Sequence, residues 1–161
     1  AGFIQKEFSI NPKSPNDSVN WNICIWHKNQ TAMQTGDKTD EAGWQVYEAC
    51  KDAGAMIVTG HEHAYSRTHL LSNIMKQVVI DTDNDYEIKP GQSIVVVSGL
   101  GGHSIREQKL FKPWWAKVYS QTQGAVSGAL FCDYNTLPKQ AKCYFKNINN
   151  EIIDTFTLHN I

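Results

Sequence analysis

The residues of this sequence whose types and spacing best suit chemistry are three histidines, His27, His61 and His63. His61 and His63 are separated by one residue. On a regular strand that spacing puts both rings on one face; in a tight turn it splays them toward two different ions. Neutral imidazole is a ligand of first choice for zinc, iron, manganese or copper. Gly60, directly ahead of the pair, permits close backbone approach, and His27 closes an apolar run, ICIW. Each histidine alone reads as an ordinary surface or core residue; together they favour a metal site. Other chemistries find little support. The turn GLGGHS lacks the third glycine of a dinucleotide fingerprint, and no helix begins on cue. No G-x-S-x-G elbow is present for a serine hydrolase.

These side chains need elements to hold them. Residues 1–20, rich in Asn, Pro and Ser, read as an irregular lead-in. A strand follows over Asn22–Trp26 and ends at His27. After a polar loop, KNQTAMQTGDKT, Asp40 is placed to cap a helix over Glu41–Ala53, with Gly54 as its stop. Ala55–Thr59 is a short buried strand. The order strand, helix, strand predicts a βαβ unit with parallel strands. In open α/β sheets ligands gather beyond the carboxyl ends of strands, where His27, His61 and His63 all fall. Further strands are expected over Ser66–Leu71, Lys76–Ile80, Ser93–Ser98, Gly128–Asp133, Lys142–Asn147 and Ile152–Leu158, with a helix from Pro113 to Gly124. No internal repeat or linker divides the chain.

The 161 residues suffice for one domain with a core. A net charge of -1 offers no basic stripe to nucleic acid or an anionic membrane. No apolar run approaches the ~20 residues of a membrane span. Cysteines at 24, 50, 132 and 143 form no CxxC pair, against zinc-ribbon and thioredoxin-like readings. Reflection about NTLPKQ sets Cys132 opposite Cys143 within disulfide reach. A Cys24–Cys50 bridge between strand and helix is a second option; buried free thiols are the alternative for both pairs. Sequons at Asn16 and Asn29 agree with a secreted, glycosylated protein. The chain opens on Ala1 without a signal-like pattern, so it is expected to begin after a processing event or at an artificial boundary.

Gly60-His61-Glu62-His63-Ala64-Tyr65-Ser66-Arg67 resembles the GHxHxYxR motif of purple acid phosphatases, within the calcineurin-like metallophosphoesterases. The strand ending at His27 is similar to the preceding motif of that family, and Gly99-Leu100-Gly101-Gly102 to its late GxGG turn. The resemblance runs from about Trp21 to Ile161. It implies an α/β fold with mixed sheets, the C-terminal half of a four-layer α-β-β-α sandwich, and phosphoester hydrolysis at two metal ions of the iron, zinc or manganese class. By resemblance, His27 and His61 ligate one metal and His63 the other.

The same comparison exposes what is missing. The family's D-x-H, G-D-x-x-D/Y and G-N-H-E/D motifs do not occur, and Gly36-Asp37 follows His27 in the wrong order. Neutral histidines alone leave two cations under-coordinated. The chain by itself is therefore expected to bind metal weakly, and activity to require an N-terminal half from the same precursor or a partner chain. An inactive structural or binding module that keeps the fold is the alternative. Candidate phosphate contacts are Lys28, Lys38, Arg67 and His103; solvated loop lysines and a structural Arg67 are the competing readings. Tyr65 is expected to pack beside the ligands, and Glu62 to face solvent.

Overall fold

Alternating burial along short apolar runs governs how this chain layers. The computed structural model describes residues 2–10, 21–135 and 137–161. The elements in order are α1 (Gly2–Ile10), β1 (Ile23–Trp26), α2 (Trp44–Asp52), β2 (Met56–Thr59), β3 (Tyr65–Thr68), β4 (Leu70–Asn73), β5 (Val78–Asp81), β6 (Asp85–Ile88), β7 (Val95–Ser98), β8 (Trp115–Tyr119), β9 (Gly128–Tyr134), β10 (Gln140–Asn147) and β11 (Ile152–Asn160). One sheet has the order β1-β2-β7-β3-β8; a second has β6-β11-β10-β9; β4 and β5 form a ribbon. Strands β1, β2 and β7 are parallel, while β3 runs antiparallel to β7 and β8, so the first sheet is mixed. The second is mixed too, because β6 pairs parallel to β11.

Two cores follow from the alternation. Met56 and Val58 of β2 and Val96 of β7 face the second sheet, where they meet Tyr86, Phe145, Phe156 and Leu158. Their neighbours Ile57 and Val95 face the other way, toward Tyr47 and Cys50 of α2 and Ile4 and Phe8 of α1. Strands buried on both faces explain why AMIVT and IVVV read as unbroken apolar runs. Strand β9 alternates half-buried and exposed positions and β10 buried and more open ones, and Phe131 stacks on Tyr144 on the outer face at 5.3 Å. The result is an α/β architecture of a helical layer on a mixed sheet on a second mixed sheet. No helix among the described residues is long and apolar enough to cross a membrane.

Several expectations need correction. Gly2–Ile10 is helical rather than irregular, since Ile4 and Phe8, one turn apart, pack against the α2 side of the core. The rest of the lead-in, with Asn16, lies outside the described residues. Helix α2 begins at Trp44 with Gly43 as its N-cap; Asp40 instead accepts a hydrogen bond from the Thr31 N–H at 2.7 Å. Where a helix from Pro113 to Gly124 was expected, Trp115–Tyr119 is a strand on the outer edge of β3, followed by a single 3-10 turn capped by Ser120 and Gln123. The open hydrogen-bonding edge of β3 outweighs local helix propensity there. The expected Ser66–Leu71 strand breaks at His69, whose N–H turns to the Trp114 carbonyl at 2.9 Å. Strand β6 was not anticipated, being four residues inside an acidic, turn-like stretch.

The chain carries two disulfides. Cys132–Cys143 joins directly opposed residues of β9 and β10. Cys24–Cys50 ties β1 to α2 across 26 residues of sequence.

Candidate metal centre

Because β1 and β2 pair in parallel with Trp26 opposite Thr59, their carboxyl ends release the chain side by side. His27 leaves one strand and Gly60-His61 the other, and the Gly60 N–H bonds the His27 carbonyl at 3.2 Å. His61 adopts φ 65°, a left-handed conformation uncommon outside glycine. It is the centre of a three-residue turn closed by the Glu62 N–H on the Gly60 carbonyl at 2.7 Å.

The loop after His27 holds that turn in place. Asn29 Nδ2 donates to the Gly60 carbonyl at 2.8 Å, and Tyr47 Oη donates to Asn29 Oδ1 at 3.1 Å. The ammonium of Lys38 donates to the His61 carbonyl. Asn29 is fully buried, so a glycan on its Nδ2 cannot coexist with this geometry, which corrects the reading of that sequon as an acceptor. Lys38 and Lys28 are both engaged: Lys38 as above, and Lys28 in an ion pair with Glu41.

The rings of His27 and His61 meet with Nε2 of the former 3.3 Å from Nδ1 of the latter. Two imidazole nitrogens sharing one tetrahedral zinc, each about 2.0–2.1 Å from it, sit at about that separation. The other nitrogen of His61, Nε2, lies 2.5 Å from Glu41 Oε2. Burial lowers the pKa of His61, and the Lys38 charge adds to the effect against the opposing pull of Glu41. His63 is lowered by burial, then by Lys38 and Arg106. Both rings are thus neutral near neutral pH, the form a metal takes.

His63 makes different contacts. Its Nδ1 is 3.3 Å from Ser104 Oγ, and its ring centroid lies 4.6 Å from that of His103. The structure therefore places exposed His103 beside His63, as the turn after Gly102 bends back. Among the described residues, no group of three or more His, Cys, Asp or Glu side chains is arranged to hold a metal ion.

One expectation about the motif fails, and of the two readings of Arg67 the structural one holds. Glu62 is fully buried instead of solvated. The turn at His61 rotates it inward, into space left by two glycines. A Cβ on Gly36 would overlap its carboxylate, and a Cβ on Gly99 its carbonyl oxygen. Among the described residues neither carboxylate oxygen has a hydrogen-bond partner of normal geometry; Lys38 Nζ lies 3.8 Å from Oε2 as a counter-charge. Burial raises the Glu62 pKa, with Lys38 and Arg106 opposing. Arg67 is also buried and cannot meet a phosphate. Its Nε and Nη2 donate to the two oxygens of Asp154 at 2.7 and 2.9 Å, and Nη1 donates to Tyr86 Oη at 3.0 Å. Tyr65 Oη donates to the same Asp154 at 2.7 Å. Sequence reasoning missed Glu41 and Ser104 as partners of the histidines; Glu41 was assigned to a helix, and Ser104 carried no signal of its own.

No family model matches this chain, and no curated protein matches it. Among solved structures it is similar to purple acid phosphatase PPD1 isolated from yellow lupin (Lupinus luteus) seeds, with a TM-score of 0.72 and 15% identity over 99% of this chain. The chain spans 28% of the length of that protein. The likeness shows that the two share a fold.

Proposed function

We propose that this chain carries the histidine half of a two-metal phosphoesterase site, with His27 and His61 holding one ion and His63 the other. The observation that carries the reading is the 3.3 Å approach of His27 Nε2 to His61 Nδ1 at adjacent strand ends. Metals of the iron, zinc or manganese class would supply charge to polarise a phosphoryl oxygen and activate water. The chain's own part is to present neutral imidazoles and to hold the His61 turn through Asn29 and Lys38. His103, exposed beside His63, is the remaining candidate for contact with phosphate, since Lys28 and Lys38 are engaged elsewhere and Arg67 is buried.

The carboxylate ligands come, in this reading, from an N-terminal half in the same precursor or a separate chain. The first sheet supports such a partner. Strand β1 is an edge strand, and its Ile23 and Ile25 lie on the same face as Met56 and Val58 yet are 39% and 75% exposed. Added strands would cover that face. A secreted location is proposed on the two disulfides.

Metal content and p-nitrophenyl phosphate hydrolysis, measured for the chain alone and mixed with candidate N-terminal fragments, test the proposal. Turnover confined to a mixture, and abolished by His61→Ala, is the expected result; an unchanged rate in that variant overturns the ligand role. A second reading, an inactive module keeping the fold, is favoured by the absence of a three-ligand group among the described residues. It predicts no metal and no turnover in any mixture.

A further inference from the structure

We infer that Glu41 is a positioning residue for His61, fixing the tautomer whose bare Nδ1 faces His27. The inference rests on the proposed ligand role of these two histidines.

Glu41 lies in the loop just ahead of α2, which starts at Trp44, and its carboxylate is free to turn away from the helix. Its two oxygens are divided between partners: Oε1 takes the Lys28 ammonium, and Oε2 lies 2.5 Å from His61 Nε2. An ionised carboxylate only accepts hydrogen bonds, so the proton of this contact sits on His61 Nε2. A neutral imidazole has a single N–H, which leaves Nδ1 as a lone pair. That lone pair is the atom 3.3 Å from His27 Nε2. Without metal, His27 Nε2–H donates into it; to hold an ion between the two facing nitrogens, His27 would carry its single proton on Nδ1 instead, leaving Nε2 bare. A carboxylate on the far nitrogen of a ligand histidine sets ring orientation and raises its basicity. Lys38 holds the same residue by its carbonyl, so ring and backbone are restrained from two sides of one loop.

The test uses the full 161-residue chain and its Glu41→Ala and Glu41→Gln variants, with circular dichroism to confirm folding. Ring 15N chemical shifts of His61 at pH 7.5 without metal report the tautomer, and Zn(II) titration reports affinity. Wild type is expected to show a protonated Nε2 and a bare Nδ1. Glu41→Ala is expected to give mixed tautomers and roughly 10- to 100-fold weaker Zn(II) binding. Glu41→Gln, which keeps an acceptor oxygen, should fall between. A protonated Nδ1 on His61 in the wild-type chain overturns the inference whether or not a variant folds. So does Glu41→Ala with an unchanged ring spectrum. The ring spectra decide the role of Glu41 whether or not the chain alone takes up Zn(II), and the ligand reading fails separately if no mixture with an N-terminal half binds metal.

Discussion

Arg67 on β3 and Asp154 on β11 form a two-pronged ion pair that pins one sheet to the other. Both residues are buried, at 1% and 8% exposure, and the guanidinium spends further donors on Tyr86 and Asn84. Tyr65, two residues after His63 in the same motif, donates to the same carboxylate. The pair thus anchors the strand that leaves the candidate site.

Removing one partner would strand the other charge in the core. Asp154→Ala is therefore expected to destabilise the chain by about 3–5 kcal/mol, read as a lower urea midpoint. A loss below about 1 kcal/mol, the range of a surface pair, would show that water reaches the site.

The Cys24–Cys50 bridge closes the segment that contains His27, Asn29, Lys38 and Glu41. Loop-closure entropy for a segment of this size amounts to about 3.5 kcal/mol. The Cys24→Ser/Cys50→Ser double variant should lose about that much in equilibrium unfolding, with Cys132–Cys143 intact by mass.

Glu62 predicts an unusual pH response. Its pKa is raised in the fold by burial from a reference of 4.5, so the folded state holds its proton more tightly than the unfolded chain. Stability from this group is fully present below pH 4.5 and is lost as pH rises through the higher folded value. Glu62→Gln should remove that loss, and its denaturation midpoint relative to wild type should rise across the same window. A difference that stays flat with pH would contradict the assignment.

Gly99 faces the Glu62 carbonyl so closely that a Cβ would collide with it. Gly99→Ala is expected to cost about 1–3 kcal/mol through a forced backbone shift, and to disturb the His61 and His63 ring signals. Gly101→Ala, with open space at its Cβ, is the control: its ring signals should match wild type.

Much of the frame was legible in the sequence. Apolar runs ending at Trp26 and Thr59, with a helical stretch between them, implied parallel strands delivering His27 and His61 to one sheet edge, and β1 and β2 pair in that way. Reflection about the NTLPKQ turn set Cys132 against Cys143, and their strands keep that register. These features depend on side-chain period and turn position, which are local properties of a chain.

Tertiary structure decided the rest. Whether Trp115–Tyr119 became helix or strand depended on the open edge of β3, more than forty residues away in sequence. Glu62 turned inward because His61 took a left-handed conformation and Gly36 and Gly99 left room, an arrangement involving three separate segments. Glu41 became the partner of His61 because α2 starts at Trp44, leaving that carboxylate free of the helix. Spacing along a chain fixes which residues can share a face; which groups meet across elements is settled by burial and hydrogen-bond demand in the assembled fold.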